Sequence, residues 1–323
     1  MLLPDADAVE YLISHSYFVP NQTPLQIFNR ATDPFLREVK PHTFAVLEDL
    51  DARGLRNHVL VITRYQVTRE DCARLNSLSS IKVTLLITYS GIADNRIEPI
   101  SSAIAAKSLA TAYKYADRYR VIFYWRPIIP GLNDSDEHIQ RAKEISLCAH
   151  ATVFTGLFYR DEIKKYYQSV GLPEPYTEIA RRKILPSLTE NRIVQAFSTG
   201  NASPLFRKTS CGVCYAHAVP DYNGHYGIRE VCDICPPEQL TRCADVHRIP
   251  KLDEISSLAK GIGKAKNVKI TQRSVILEGL NEQQRYFLQH AFAFQFHDVA
   301  KPHRIRRHGR AEIGWEHVDP NHF

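Results

Sequence analysis

Five short apolar runs, each followed by a stretch with helical spacing, constrain this chain more than anything else in it. They are PLQIFNR (24–30), HVLVIT (58–63), KVTLLIT (82–88), RVIFYW (120–125) and ATVFTGLF (151–158). Each is apolar almost throughout, as expected of a strand covered on both faces, whereas a half-exposed strand alternates. Helical patterns fill the gaps: residues 40–55, a helix capped at Thr68, a helix over 101–117, one capped by Asn133, Asp134 or Ser135, and DEIKKYY. No hairpin turn joins two of these runs. The reading is α/β with a parallel sheet. Five strands, fading into a helical stretch over 176–198, are too few for an eight-stranded barrel, so the sheet is open or a partial barrel.

In parallel sheets chemistry collects where strands end and loops converge. Polar or constrained groups follow every run: Asn29 to Pro34, Thr63 to Tyr65, Thr88 to Gly91 with Glu98, Trp125 to Pro127 with the turn Pro130 to Asp134, and Thr155 with Arg160. Any one of these reads as turn or cap chemistry. Together they form a rim suited to a small polar cofactor, held by hydroxyls, amides and guanidinium groups.

Four of these segments, NRATDPF, VITRYQVTRED, TYSGIADNRIEP and WRPIIPGLNDSDE, stand in an order and spacing that resembles the radical S-adenosylmethionine superfamily, nearest the branch of spore photoproduct lyase-like proteins. The likeness covers about residues 20–165. It implies a six-stranded partial (β/α) barrel of TIM-barrel type, with S-adenosylmethionine on a [4Fe–4S] cluster generating a 5′-deoxyadenosyl radical. It further implies that Thr32 and Asp33 meet the methionine amino group, Arg64 its carboxylate and Ser90 the ribose. Arg126 and the turn opening at Pro127 then lie at the adenine. No residue stands out as catalytic, and the substrate does not transfer with the fold.

One element of that family is missing. Three thiolates of a CxxxCxxC loop hold the cluster, and the chain has no such motif; Cys72 and Cys148 are isolated, in helical stretches. DADAVEYLISHSYF (5–18) fits the helix that follows the family's first strand, so the barrel reads as missing that strand. The run at 24–30 is then an open apolar edge. A small separate polypeptide bearing CxxxCxxC and pairing with strand 24–30 is expected to complete a split, heteromeric enzyme. A sequence trimmed at its start, or a scaffold that has lost its cluster, leaves the same pattern.

Five of the seven cysteines fall between 211 and 243. Cys211-x2-Cys214 and Cys232-x2-Cys235 enclose 17 residues, a spacing that places four thiolates around zinc. An auxiliary iron–sulfur cluster is the other candidate, and Cys243, His217, His225 and His247 are near enough in sequence to substitute as ligands. The intervening Tyr222 to Gly227 reads as an exposed turn. With no export signal and no stretch long enough to span a bilayer, clustered thiols point to the cytoplasm and to metal.

Three regions follow: a partial barrel over 1–200, a Cys-rich metal knuckle over 201–250, and a small basic α+β module over 251–323. The last reads helix, one strand (NVKITQRSVILEG), helix, then KPHRIRRHGR (301–310), a run that is either solvated surface or a contact for nucleic acid. The competing functional reading is a non-catalytic zinc-knuckle protein on a degenerate barrel that binds nucleic acid or a protein.

Overall fold

The computed structural model describes residues 3–27, 32–176 and 185–299. Helix α1 (Asp5–Ile13) precedes β1 (Leu25–Ile27), and strands and helices then alternate: α2 (Lys40–Ala52), β2 (His58–Thr63), α3 (Arg69–Ser77), β3 (Lys82–Tyr89), α4 (Ser102–Lys114), β4 (Arg120–Ile128), α5 (Asp136–Ser146), β5 (Ala151–Gly156) and α6 (Asp161–Ser169). After α7 (Ser187–Ser198) comes β6 (Leu205–Phe206), and the six strands form one sheet in sequential order. Its pairing is parallel through β4, for example Val59 opposite Val83 and Leu85 opposite Val121. The fold is α/β with a six-stranded parallel sheet of partial-barrel type.

Burial explains the apolar runs. Val59, Val61, Leu85, Leu86, Ile87, Val121, Ile122 and Phe123 are fully buried, so consecutive residues of one strand have no solvent face. Helix starts follow their caps. Thr68 Oγ1 accepts from the Asp71 amide (3.2 Å), and the Thr68 amide donates to Asp71 Oδ2 (2.8 Å), a reciprocal capping box at α3. Ser135 is the residue of its trio that caps α5.

The strand count of five is corrected to six. Leu205 and Phe206 form the sixth strand, and two residues carry no periodicity to read. With six strands present, counting no longer points to a missing one; β1, the first strand of the order, still has no described strand on its far side. Cys148 is also corrected: it sits in the turn after α5, half-buried, while Cys72 lies on α3 and is fully buried.

The chain divides into two compact units. The first comprises Met1–Arg126, Ser135–Val153 and Gln195–Leu205; the second comprises Pro127–Asp134, Phe154–Val194 and Phe206–Phe323. In the second, α8 (Thr209–Ala216), α9 (Arg229–Cys232) and α10 (Pro237–Val246) carry four of the clustered cysteines, and Cys235 lies in the turn between α9 and α10. Then come α11 (Leu252–Lys260), β7 (Lys266–Ile270), β8 (Ser274–Glu278), α12 (Glu282–Phe292) and β9 (Gln295–Asp298). The expected single strand over 267–279 is a hairpin: β7 pairs antiparallel with β8, which pairs parallel with β9. Thr271 breaks it, because its hydroxyl accepts from the amides of Arg273 (3.2 Å) and Ser274 (2.9 Å) and closes a turn. Ile255, Val275, Leu277, Leu288, Phe294 and Phe296 fill this small core. The basic run at 301–310 lies outside the described residues.

Candidate functional site

In the first unit the polar groups at the strand ends converge on Asp33. Its Oδ1 accepts from the Thr63 hydroxyl (2.6 Å) and the Phe35 amide (2.9 Å), and its Oδ2 from the Arg64 amide (2.9 Å). Thr63 ends β2, so this carboxylate ties the segment after β1 to the neighbouring strand end. Arg64 then turns its side chain toward Glu98, with Nη1 2.6 Å from Oε2. Burial pushes the Glu98 carboxyl up, against the lowering effect of Arg64 and, farther off, Arg126. The remaining guanidinium N–H groups of Arg64, which is a third exposed, have no partner among the described residues.

The other residues expected at the cofactor are less available. Ser90 is buried, its Oγ accepting from the Ile92 amide (3.2 Å) and lying 3.4 Å from Ser102 Oγ. Arg126 lays its guanidinium over the Tyr124 ring at 4.2 Å. Thr32 is half-buried beside Asp33. Pro127 belongs to the second unit, where its carbonyl accepts from Asn133 Nδ2 (2.9 Å). Asn133 Oδ1 in turn accepts from the Ile129 amide (2.7 Å), and Asp134 Oδ1 from the Gly131 amide (2.7 Å), so PIIPGLND closes on itself. Glu98 was legible only as one polar strand-end residue; its pairing with Arg64 depends on a loop that sequence does not reveal.

A second group lies among the clustered cysteines. Cys211, Asp221 and His225 are all buried, and one ligand atom of each lies within 4.8 Å of the others; this group could hold a metal ion. Asp221 Oδ2 sits 2.9 Å from both the His225 amide and Nδ1, while Cys211 Sγ is 3.9 Å from Nδ1. Burial alone would raise the Asp221 carboxyl; the adjoining His225 ring outweighs it and holds the group down to about 2. Burial, followed by the Asp221 charge, pushes the Cys211 thiol well above its ordinary value. Burial likewise takes Cys232 to about 11 and Cys235 to about 12. A bound cation reverses that logic, since metal ligation deprotonates a thiol outright.

All seven cysteines are free. Of the four CxxC thiols, only Cys211 belongs to the close group; Cys214, Cys232 and Cys235 are near enough to act on its charge. Cys243 Sγ accepts from the Asp221 amide (3.4 Å) and from Gln239 Nε2 (3.5 Å). The one sequence signal for Asp221 is its spacing of four from His225. The segment expected to be an exposed turn is instead tucked in. Asn223 Oδ1 meets His290 Nε2 (2.9 Å), its carbonyl accepts from Gln295 Nε2 (2.6 Å), and Gly224 and His225 are buried.

No protein-family model matches this chain, and no curated protein matches it. Among solved structures, a domain of a pyruvate-formate lyase-activating enzyme from Bacteroides vulgatus is distantly similar: 13% identity, 49% of this chain, 84% of that chain, TM-score 0.33. Among the described residues no helix is long and apolar enough to cross a membrane.

Proposed function

We propose that this chain binds S-adenosylmethionine at the C-terminal ends of its parallel strands, as the barrel subunit of a split radical enzyme. The observation that carries this reading is the convergence of Asp33, Thr63, Arg64 and Glu98 at one strand end. The donor set suits the amino-acid end of the cofactor. Asp33 Oδ2 takes one amide among the described residues and has capacity for an ammonium, and Arg64 keeps free N–H groups for a carboxylate. Glu98 restrains the guanidinium, and Thr63 and the Arg64 amide fix the carboxylate. Bound there, the cofactor would supply the hydrogen-abstracting chemistry.

The residues present do not fit a [4Fe–4S] cluster at this end, because the sequence between β1 and α2 has no cysteine and the chain has no CxxxCxxC motif. In this reading the thiolates come from a separate polypeptide pairing with β1. By the same reading the barrel lies within residues 1–200, zinc or an auxiliary cluster is held within 201–250, and the small module lies within 251–323.

Calorimetric titration of the full chain with S-adenosylmethionine tests the rim. Wild type is expected to bind, Arg64→Ala to lose at least tenfold in affinity, and Asp33→Asn to fall similarly, since hydrogen bonds to charged groups are worth about 1.5–3 kcal/mol. Absence of binding, or an Arg64→Ala titration that overlays wild type, sinks the reading. The competing assignment, a non-catalytic metal-knuckle protein, draws on the buried Cys211, Asp221 and His225 group. Anaerobic co-expression with a CxxxCxxC polypeptide separates the two: 5′-deoxyadenosine forms under the first and not under the second.

A further inference from the structure

We propose that Cys211 Sγ, Asp221 and His225 Nδ1 form a mixed-donor site for one divalent ion of the zinc class, a site distinct in composition from a four-thiolate knuckle. The inference is independent of the cofactor reading at the strand ends.

The geometry around Nδ1 is the starting point. An imidazole nitrogen makes one good hydrogen bond, yet three polar atoms crowd this one: Asp221 Oδ2 at 2.9 Å, Ser210 Oγ at 3.4 Å and Cys211 Sγ at 3.9 Å, with the Ser210 hydroxyl also engaging the Asp221 carboxylate. A single proton serves one of them well. An ion placed between sulfur, carboxylate and nitrogen serves all three donor types at once. The second observation is Asp221 Oδ1, which is buried and has no hydrogen-bond partner among the described residues. Burying a carboxylate demands a full set of partners or a cation. No lysine or arginine pairs with Asp221 among the described residues; its ion-pair partner is His225.

The chemistry of the donors selects the ion. Thiolate, imidazole and carboxylate together suit zinc, at about 2.3, 2.0 and 2.1 Å from the respective atoms, and disfavour calcium or magnesium, which take oxygen. A tetrahedral four-thiolate centre would hold its sulfurs about 3.8 Å apart. Among the described residues no three thiols lie within 4.8 Å of one another, whereas the Cys211, Asp221 and His225 atoms do. The fourth position falls to a neighbouring thiol or to solvent. Binding sends the Cys211 thiol proton to solvent while a neutral His225 carries its proton on Nε2, so a proton is released as the ion enters.

The test strips the full chain of metal and titrates it with Zn²⁺ against a chromophoric chelator, then with Co²⁺ for its spectrum. One equivalent is expected. His225→Gln, Asp221→Asn and Cys211→Ser should each weaken binding by tenfold or more, while Cys235→Ser stays within a few-fold of wild type. Thiolate-to-cobalt charge-transfer absorption should fall short of that of a four-thiolate centre. Equal loss in Cys235→Ser makes Cys235 the fourth ligand and leaves the mixed site standing. Failure of wild type to bind, or wild-type affinity in both His225→Gln and Asp221→Asn, overturns the proposal. Should a variant not fold by circular dichroism, histidine ¹⁵N spectra of the wild-type chain decide. Zn²⁺ must shift the His225 Nδ1 resonance to that of a ligated, unprotonated nitrogen, and an unmoved resonance counts against the site.

Discussion

His58 opens β2 opposite Lys82, and burial, then the Lys82 charge, pushes its imidazole down to about 4. In the unfolded chain the same ring titrates near its ordinary value, so acid favours unfolding. Stability from keeping this ring neutral is fully present above about pH 6.5 and is lost as pH falls toward 4, by on the order of 3 kcal/mol. His58→Gln should flatten that part of the stability profile, read by urea melts at pH 7 and pH 4.5; parallel profiles for variant and wild type would refute the assignment. Single residues also set the limit of what sequence makes legible. Thr68 was readable as a cap because its partner is three residues away. The Arg64 pairing with Glu98 was not, because the two lie 34 residues apart, with α3, β3 and an irregular loop between them.

At the scale of elements, legibility follows burial. The strands β2 to β5 announce themselves because both faces are covered, so apolar residues dominate each and the buried polar ones within them are threonines such as Thr84, Thr88 and Thr152. Where an element owes its shape to a turn or to a distant partner, the pattern misleads. Thr271 splits one apolar run into two strands through its own hydroxyl. The segment 222–225 has the composition of an exposed turn, yet Gln289, His290 and Gln295 engage Asn223. Gly224 shows how close that approach is: φ is +69°, and a Cβ would fall on the Ala293 carbonyl and the Phe294 amide. Gly224→Ala should therefore cost well beyond the roughly 1 kcal/mol of a strained positive φ alone. Hydrogen exchange offers the check, since α12 and β9 amides should lose protection. Unchanged protection would mean the docking does not support the small module.

For the whole molecule, the sheet's first edge matters most. Among the described residues β1 spans three, with Leu25 and Ile27 buried and Gln26 exposed, and no described strand lies beyond it. Shortness is one way a protein blunts an edge against aggregation. It also limits what β-augmentation contributes, since three residues offer a strand few main-chain bonds, each worth about 1 kcal/mol net. In the proposed reading, a partner that pairs here must therefore bring other contacts, and a cluster meeting a cofactor at Asp33 and Arg64 would be such a contact. The expected signature is cooperative: a CxxxCxxC polypeptide should co-purify more tightly with S-adenosylmethionine present than without, and Arg64→Ala should remove the difference. Amide exchange at residues 25–27 should slow in the same complex. Association indifferent to the cofactor would separate the edge from the rim, and unaltered exchange at β1 would place the partner elsewhere.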